Sequence, residues 1–85
     1  MEPFIPQTSP RVFTVEWNVE RLKFIALDDL RENLGLSANR ASAIGIAILA
    51  ANNASRTGSR VAVRVLLRNG TYRTEYIAQP AHRRP

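Results

Sequence analysis

Six arginines late in the chain, Arg60, Arg64, Arg68, Arg73, Arg83 and Arg84, are the residues whose type and spacing could do chemistry, and that chemistry is anion recognition. A guanidinium is planar, permanently charged and forked, so it grips a phosphate or carboxylate through two parallel hydrogen bonds. Arginine supplies eleven of the twelve cations, a bias that solubility alone does not need, because lysine would serve it. Together with Arg56 and His82, the six form a candidate phosphate-binding strip in which each contact adds salt-sensitive affinity by counterion release. The competing reading is an ordinary solvated sheet face. No exposed aromatic is expected among these arginines, since Tyr72 and Tyr76 fall inward, which argues against a platform for single-stranded bases.

Catalytic chemistry has little to stand on. The single histidine, His82, sits in a proline-flanked tail with no rigid shell to hold it as a general base or metal ligand. Asp28 and Glu32 stand four apart with Asp29 beside them, a spacing that suits a hard cation but more often marks a solvated face next to a cation such as Arg31. There is no Gly-rich phosphate loop and no nucleophile motif. The sequence also contains no cysteine, which removes disulfides, thiolate metal sites and cysteine catalysis. A non-enzymatic protein without metal or cofactor is the expectation.

The elements that must hold these residues have little chain to work with. Eighty-five residues make one small domain, and the formal charge of +5 is unevenly spread. In residues 1–35, four cations against six carboxylates leave −2; in residues 36–85, eight against Glu75 alone leave +7. All five prolines lie in the first ten or last six residues. They divide the chain into an extended tail (1–10), one folded domain (11–79) and a basic tail (80–85). No apolar run reaches the roughly 18 to 20 residues of a membrane span, and the opening residues lack a signal-peptide pattern, so the expectation is a soluble cytoplasmic protein.

Residues 12–17 alternate, with Phe13, Val15 and Trp17 on the inward face, and predict a short strand. Asn18 then caps a predicted helix from Val19, whose apolar positions Leu22, Ile25, Ala26, Leu30 and Leu34 recur at spacings of three and four before Gly35. Residues 21–27 also partly alternate, which admits a strand there and a short helix capped by Asp29 with Glu32 three residues on. The single helix is preferred. Ser37 or Asn39 opens a second helix, uncharged over residues 41–55, with Ala41, Ile44, Ile48 and Ala51 as its stripe. Ile46, Leu49 and Ala50 fall on other faces, more apolar surface than so small a chain can cover. A homo-oligomer, most simply a dimer, is therefore expected, with Ile44, Gly45, Ile46, Ile48 and Leu49 at the interface.

Residues 61–68 and 71–78 flank Asn69-Gly70, the preferred pair for a two-residue type I′ hairpin. That register sets Arg64 opposite Glu75, Val63 opposite Tyr76 and Ala62 opposite Ile77, and leaves Arg68 and Arg73 with no obvious carboxylate.

The strand at 12–17, the helix after it and the stretch ENLGLSANRASAIGIAI resemble the ribbon-helix-helix DNA-binding proteins over residues 12–51. Phe13, Val15 and Trp17 match that family's inward strand positions, Gly35, Leu36 and Ser37 its inter-helix turn, and Ile44 and Ile48 its second-helix core. The resemblance implies an obligate dimer that binds DNA. Two features depart from it: of the base-reading positions Val12, Thr14 and Glu16 only Thr14 suits DNA, and a full hairpin follows the second helix.

The expected fold is thus a single small α+β domain, β-α-α-β-β, with a C-terminal antiparallel hairpin packed on an apolar helix; the alternative is a ribbon-helix-helix dimer core with an added hairpin. The expected function is nucleic-acid binding or transcription regulation by a small basic protein of the size common in phages and mobile elements. The alternative is an interaction module, such as a small inhibitor or assembly subunit, whose arginine face docks on an acidic protein.

Overall fold

Phe13, Val15 and Trp17 alternate with Thr14 and Glu16, a pattern that suits a pleated, half-buried surface. In the computed structural model, which describes residues 10–79, this stretch is strand β1 (Arg11–Asn18). It is followed by β2 (Lys23–Leu27), β3 (Asn33–Ser37), helix α1 (Arg40–Arg56), β4 (Val61–Leu66) and β5 (Tyr72–Ala78). The five strands form one mixed sheet in the order β3-β2-β1-β4-β5. β1 runs antiparallel to β2 and parallel to β4, so α1 is the crossover that returns the chain from one half of the sheet to the other. The result is the expected single α+β domain. The expected tails fall outside the described residues, Pro10 excepted.

The expected helix from Val19 to Leu34 does not form, and the order β-α-α-β-β becomes β-β-β-α-β-β. Asn18 does accept a hydrogen bond, from the Arg21 amide at 2.8 Å, but it closes the β1–β2 loop instead of capping a helix. Leu22 and Leu30, counted in the helical stripe, are 68% and 75% exposed in the two loops. Asp28 builds the second loop: its Oδ1 accepts from the Leu30 and Glu32 amides at 2.8 and 2.9 Å, an Asx turn that competes with helix. The alternative strand at 21–27 matches β2, whereas the short helix after Asp29 is replaced by β3.

The helix expected from Ser37 or Asn39 is present, with Asn39 Oδ1 accepting from the Ser42 amide at 2.7 Å as the N-cap. Its inward stripe, however, is Ala43, Ala47, Ala51 and Ala54, rotated from the expected Ala41, Ile44, Ile48 and Ala51. These alanines lie on Phe13, Val15, Ala26, Val61, Val63 and Val65. Each contributes little more than one methyl, about 0.8 kcal/mol, whereas each fully buried valine or phenylalanine contributes about 1.5–3 kcal/mol. What the alanines supply is proximity. A Cβ on Gly35 of β3 would lie 3.0 Å from Ile46 Cδ1, so helix and sheet are already in contact there.

β4 and β5 pair antiparallel, and the expected partners Ala62 with Ile77 and Val63 with Tyr76 are found. A bulge between Val63 and Arg64 then shifts the register, so that Arg64 faces Thr74, Val65 faces Arg73 and Leu66 faces Tyr72. The two-residue turn is also corrected. Leu67 N bonds to Thr71 O at 2.7 Å and Gly70 N to Leu67 O at 3.0 Å, which closes a three-residue loop of Arg68, Asn69 and Gly70. A type I′ turn needs two left-handed residues; here Gly70 alone has positive φ, +89°, and Asn69 Oδ1 instead accepts from the Thr71 amide and hydroxyl.

The alternative ribbon-helix-helix core is not supported. β1 lies in the middle of the sheet between β2 and β4, with both edges occupied, and cannot pair with a symmetry mate.

Candidate functional site

The structure disperses the expected arginine strip. Arg60 precedes β4 and Arg68 follows it, about 26 Å of extended chain apart. Arg64 lies on the sheet face away from α1, the side shared by Thr14 and Leu66, whereas the bulge turns Arg73 to the helix side. The expected Arg64–Glu75 pair is absent, because Glu75 forms an ion pair with Arg73. Arg73 therefore has the carboxylate it was expected to lack. Arg83, Arg84 and His82 lie outside the described residues.

The five expected interface residues also separate. Ile44, Ile46 and Ile48 are half-buried against the chain's own core, Ile46 over Gly35, and only Gly45 and Leu49 are exposed. The sheet covers more of α1 than the helix's composition suggested, so the apolar surface no longer requires a second copy.

A different set of residues converges at the end of the sheet where β1 and β4 finish. A cleft of about 470 Å³ is lined by Trp17, Phe24, Arg40, Leu66, Leu67 and Arg68. The local chain explains each wall. Trp17 and Phe24 are cross-strand partners on the helix side of β1 and β2, with ring centroids 4.9 Å apart and planes at 70°, an edge-to-face pair. α1 begins at Arg40, whose guanidinium carbon lies 5.5 Å from the Phe24 ring centroid. The helix does not extend over Trp17, which stays 49% exposed although it sits on the inward face. Arg68 enters from the β4–β5 turn.

The cleft is electrostatically one-sided. Among the described residues neither Arg40 nor Arg68 has a carboxylate within ion-pair distance, and the buried Arg40 Nε has no hydrogen-bond partner. Arg21 and Lys23, in and just after the β1–β2 loop, outnumber Glu20 of the same loop and add a net positive charge at the same end. Glu16, Asp28 and Asp29 are engaged elsewhere. Arg31 binds Glu16 at 3.0 Å, and Arg11 binds Asp29 through two bonds of 3.0 and 2.9 Å. The Arg11 guanidinium holds the Asp29 carboxyl below the usual carboxylate range, mainly through that hydrogen bond, against the opposing effect of burial. The Asp28 and Asp29 carboxylates are thus committed to a turn and an ion pair, Glu32 joins that turn through its backbone alone, and no cluster suited to a metal occurs among the described residues.

A second guanidinium–aromatic stack lies on the open face. The Arg64 guanidinium carbon sits 4.3 Å from the centroid of the Tyr72 ring, Arg64 Nε is buried with no hydrogen-bond partner among the described residues, and Tyr72 is 43% exposed. Sequence reasoning missed Phe24 and Arg40, placed Tyr72 on the wrong face, and placed Trp17 on the right face without its exposure. One signal was legible: Arg40 follows the N-cap directly, at the positive end of the helix dipole, where a cation is disfavoured.

Compared with protein-family models, curated proteins and solved structures, the chain matches none. Its geometry and chemistry carry the functional argument.

Proposed function

We propose that the protein binds single-stranded nucleic acid without catalysing a reaction, stacking a base on Trp17 and holding adjacent phosphates with Arg40 and Arg68. The observation that carries this reading is the half-exposed indole in a cleft whose two cations have no carboxylate partner among the described residues. A base offers a π-face worth about 1–3 kcal/mol against an aromatic side chain, and a phosphodiester offers the charge that arginine grips bidentately. An unstacked strand presents both at once. A duplex hides its base faces and is read along its groove edges, so it offers the indole no free base face.

The test uses the protein's single tryptophan, Trp17, as its own reporter. Oligothymidylate should quench its fluorescence, a duplex of equal length should do so more weakly, and affinity should fall with salt by about 0.7 log unit per log unit for each phosphate engaged. Absent or salt-independent binding overturns the reading.

A second reading, docking on an acidic protein, is favoured by Val19 and Leu22, two large apolar residues exposed in the β1–β2 loop beside the cations. It predicts a partner recovered by pull-down after nuclease treatment and lost on replacing Val19 and Leu22 by serine.

A further inference from the structure

We propose that the cleft is the first of two base positions, and that Tyr72 backed by Arg64 on the open sheet face is the second. This rests on the nucleic-acid reading of the cleft and adds to it the path of the strand. Leu66 joins the two positions: it lines the cleft and is the Cα partner of Tyr72. Neighbouring strands lie about 4.8 Å apart, so β1 and β5, separated only by β4, place Trp17 and Tyr72 about 10 Å apart across the sheet. Trp17 is on the helix side and Tyr72 on the open side, so a bridging strand must pass over the end of β4, where Arg68 stands to meet its phosphate.

The charge around Arg64 supports an external anion. Its cross-strand neighbours are Thr14 and Thr74, both neutral. The nearby candidates for pairing are taken, Glu16 by Arg31 and Glu75 by Arg73. What holds Arg64 in place is the Tyr72 ring, and its Nε is shut off from solvent without an acceptor among the described residues. A cation partly removed from water and lacking a carboxylate is compensated when a phosphate arrives.

The experiment compares the full chain with Tyr72→Ala and Tyr72→Phe, titrated with thymidine monophosphate and a thymidylate octanucleotide, following both Trp17 fluorescence and affinity. The octanucleotide should bind the parent more tightly than the mononucleotide. Tyr72→Ala should weaken the octanucleotide about fivefold or more, while leaving the affinity and quenching of the mononucleotide, which has one base and fills the cleft alone, unchanged. Tyr72→Phe keeps the ring and should bind like the parent. Unchanged octanucleotide affinity in Tyr72→Ala, or equal loss in Tyr72→Phe, overturns the second position and leaves the cleft reading standing. Failure of both probes to quench Trp17 in the parent overturns both.

Discussion

Gly35 on β3 and Ile46 on α1 meet so closely that a methyl on the glycine would lie 3.0 Å from Ile46 Cδ1 and 3.3 Å from Cγ2. This contact, with the alanine stripe, sets the height of the helix above the sheet and therefore where Arg40 stands over Phe24. Gly35→Ala should destabilise the fold by about 1–3 kcal/mol through overpacking. Adding Ile46→Val, which removes Cδ1, should recover part of that loss in a double-mutant cycle read by urea denaturation. Additive losses would show that the two residues do not press on each other.

The cleft's cations and its indole should separate in a salt titration. Arg68→Ala and Arg40→Ala should each lower the slope of log affinity against log salt by about 0.7, one single-strand phosphate contact apiece. Trp17→Phe should weaken binding while leaving that slope intact, because stacking releases no counterions. Fluorescence anisotropy of a labelled oligothymidylate measures all three variants, including the one without tryptophan.

Gly45 lies within α1, exposed, and a Cβ added there meets nothing within 4 Å. Gly45→Ala should therefore raise stability by about 0.5–1 kcal/mol, through helix propensity and a less flexible unfolded chain. For a domain of this size that is a rise of about 2–8 °C in melting temperature. If α1 instead packs closely on a second copy at Gly45, the alanine should lower both the melting temperature and the sedimentation coefficient.

Asp29 carries the pH dependence that the structure makes legible. Its carboxyl titrates lower in the folded chain than in the unfolded one because Arg11 bonds to the charged form. A depressed folded value means that the stabilisation is complete above the unfolded carboxylate range and is lost as pH falls through the folded value. Both side chains are partly exposed, which limits the contribution to about 1 kcal/mol or less. Asp29→Asn should cost that amount at neutral pH and almost nothing at about pH 2, as compared by urea denaturation at the two pH values.

Local residue patterns settled some of this architecture without tertiary information. The alternation at 12–17 made β1, the alternating apolar residues around Asn69-Gly70 made the hairpin, and Asn39 ahead of an uncharged alanine-rich run made α1. Each of these signals lies within a few residues of chain, where pattern and capping act. Tertiary structure decided the rest. Residues 19–34 carry both a helical spacing and a strand alternation, and the choice fell to pairing: β2 gains β1 and β3 as neighbours, and Asp28 closes the turn between them. A single bulge reassigned Arg64 from Glu75 to Tyr72, because Glu75 is the extra residue in β5 and its insertion turns Tyr72, Arg73 and Thr74 to the opposite face. The site itself was out of reach of any sequence window. Trp17, Arg40 and Arg68 come from three distant segments, and the indole is exposed only because α1 begins at Arg40 and leaves that end of the sheet uncovered.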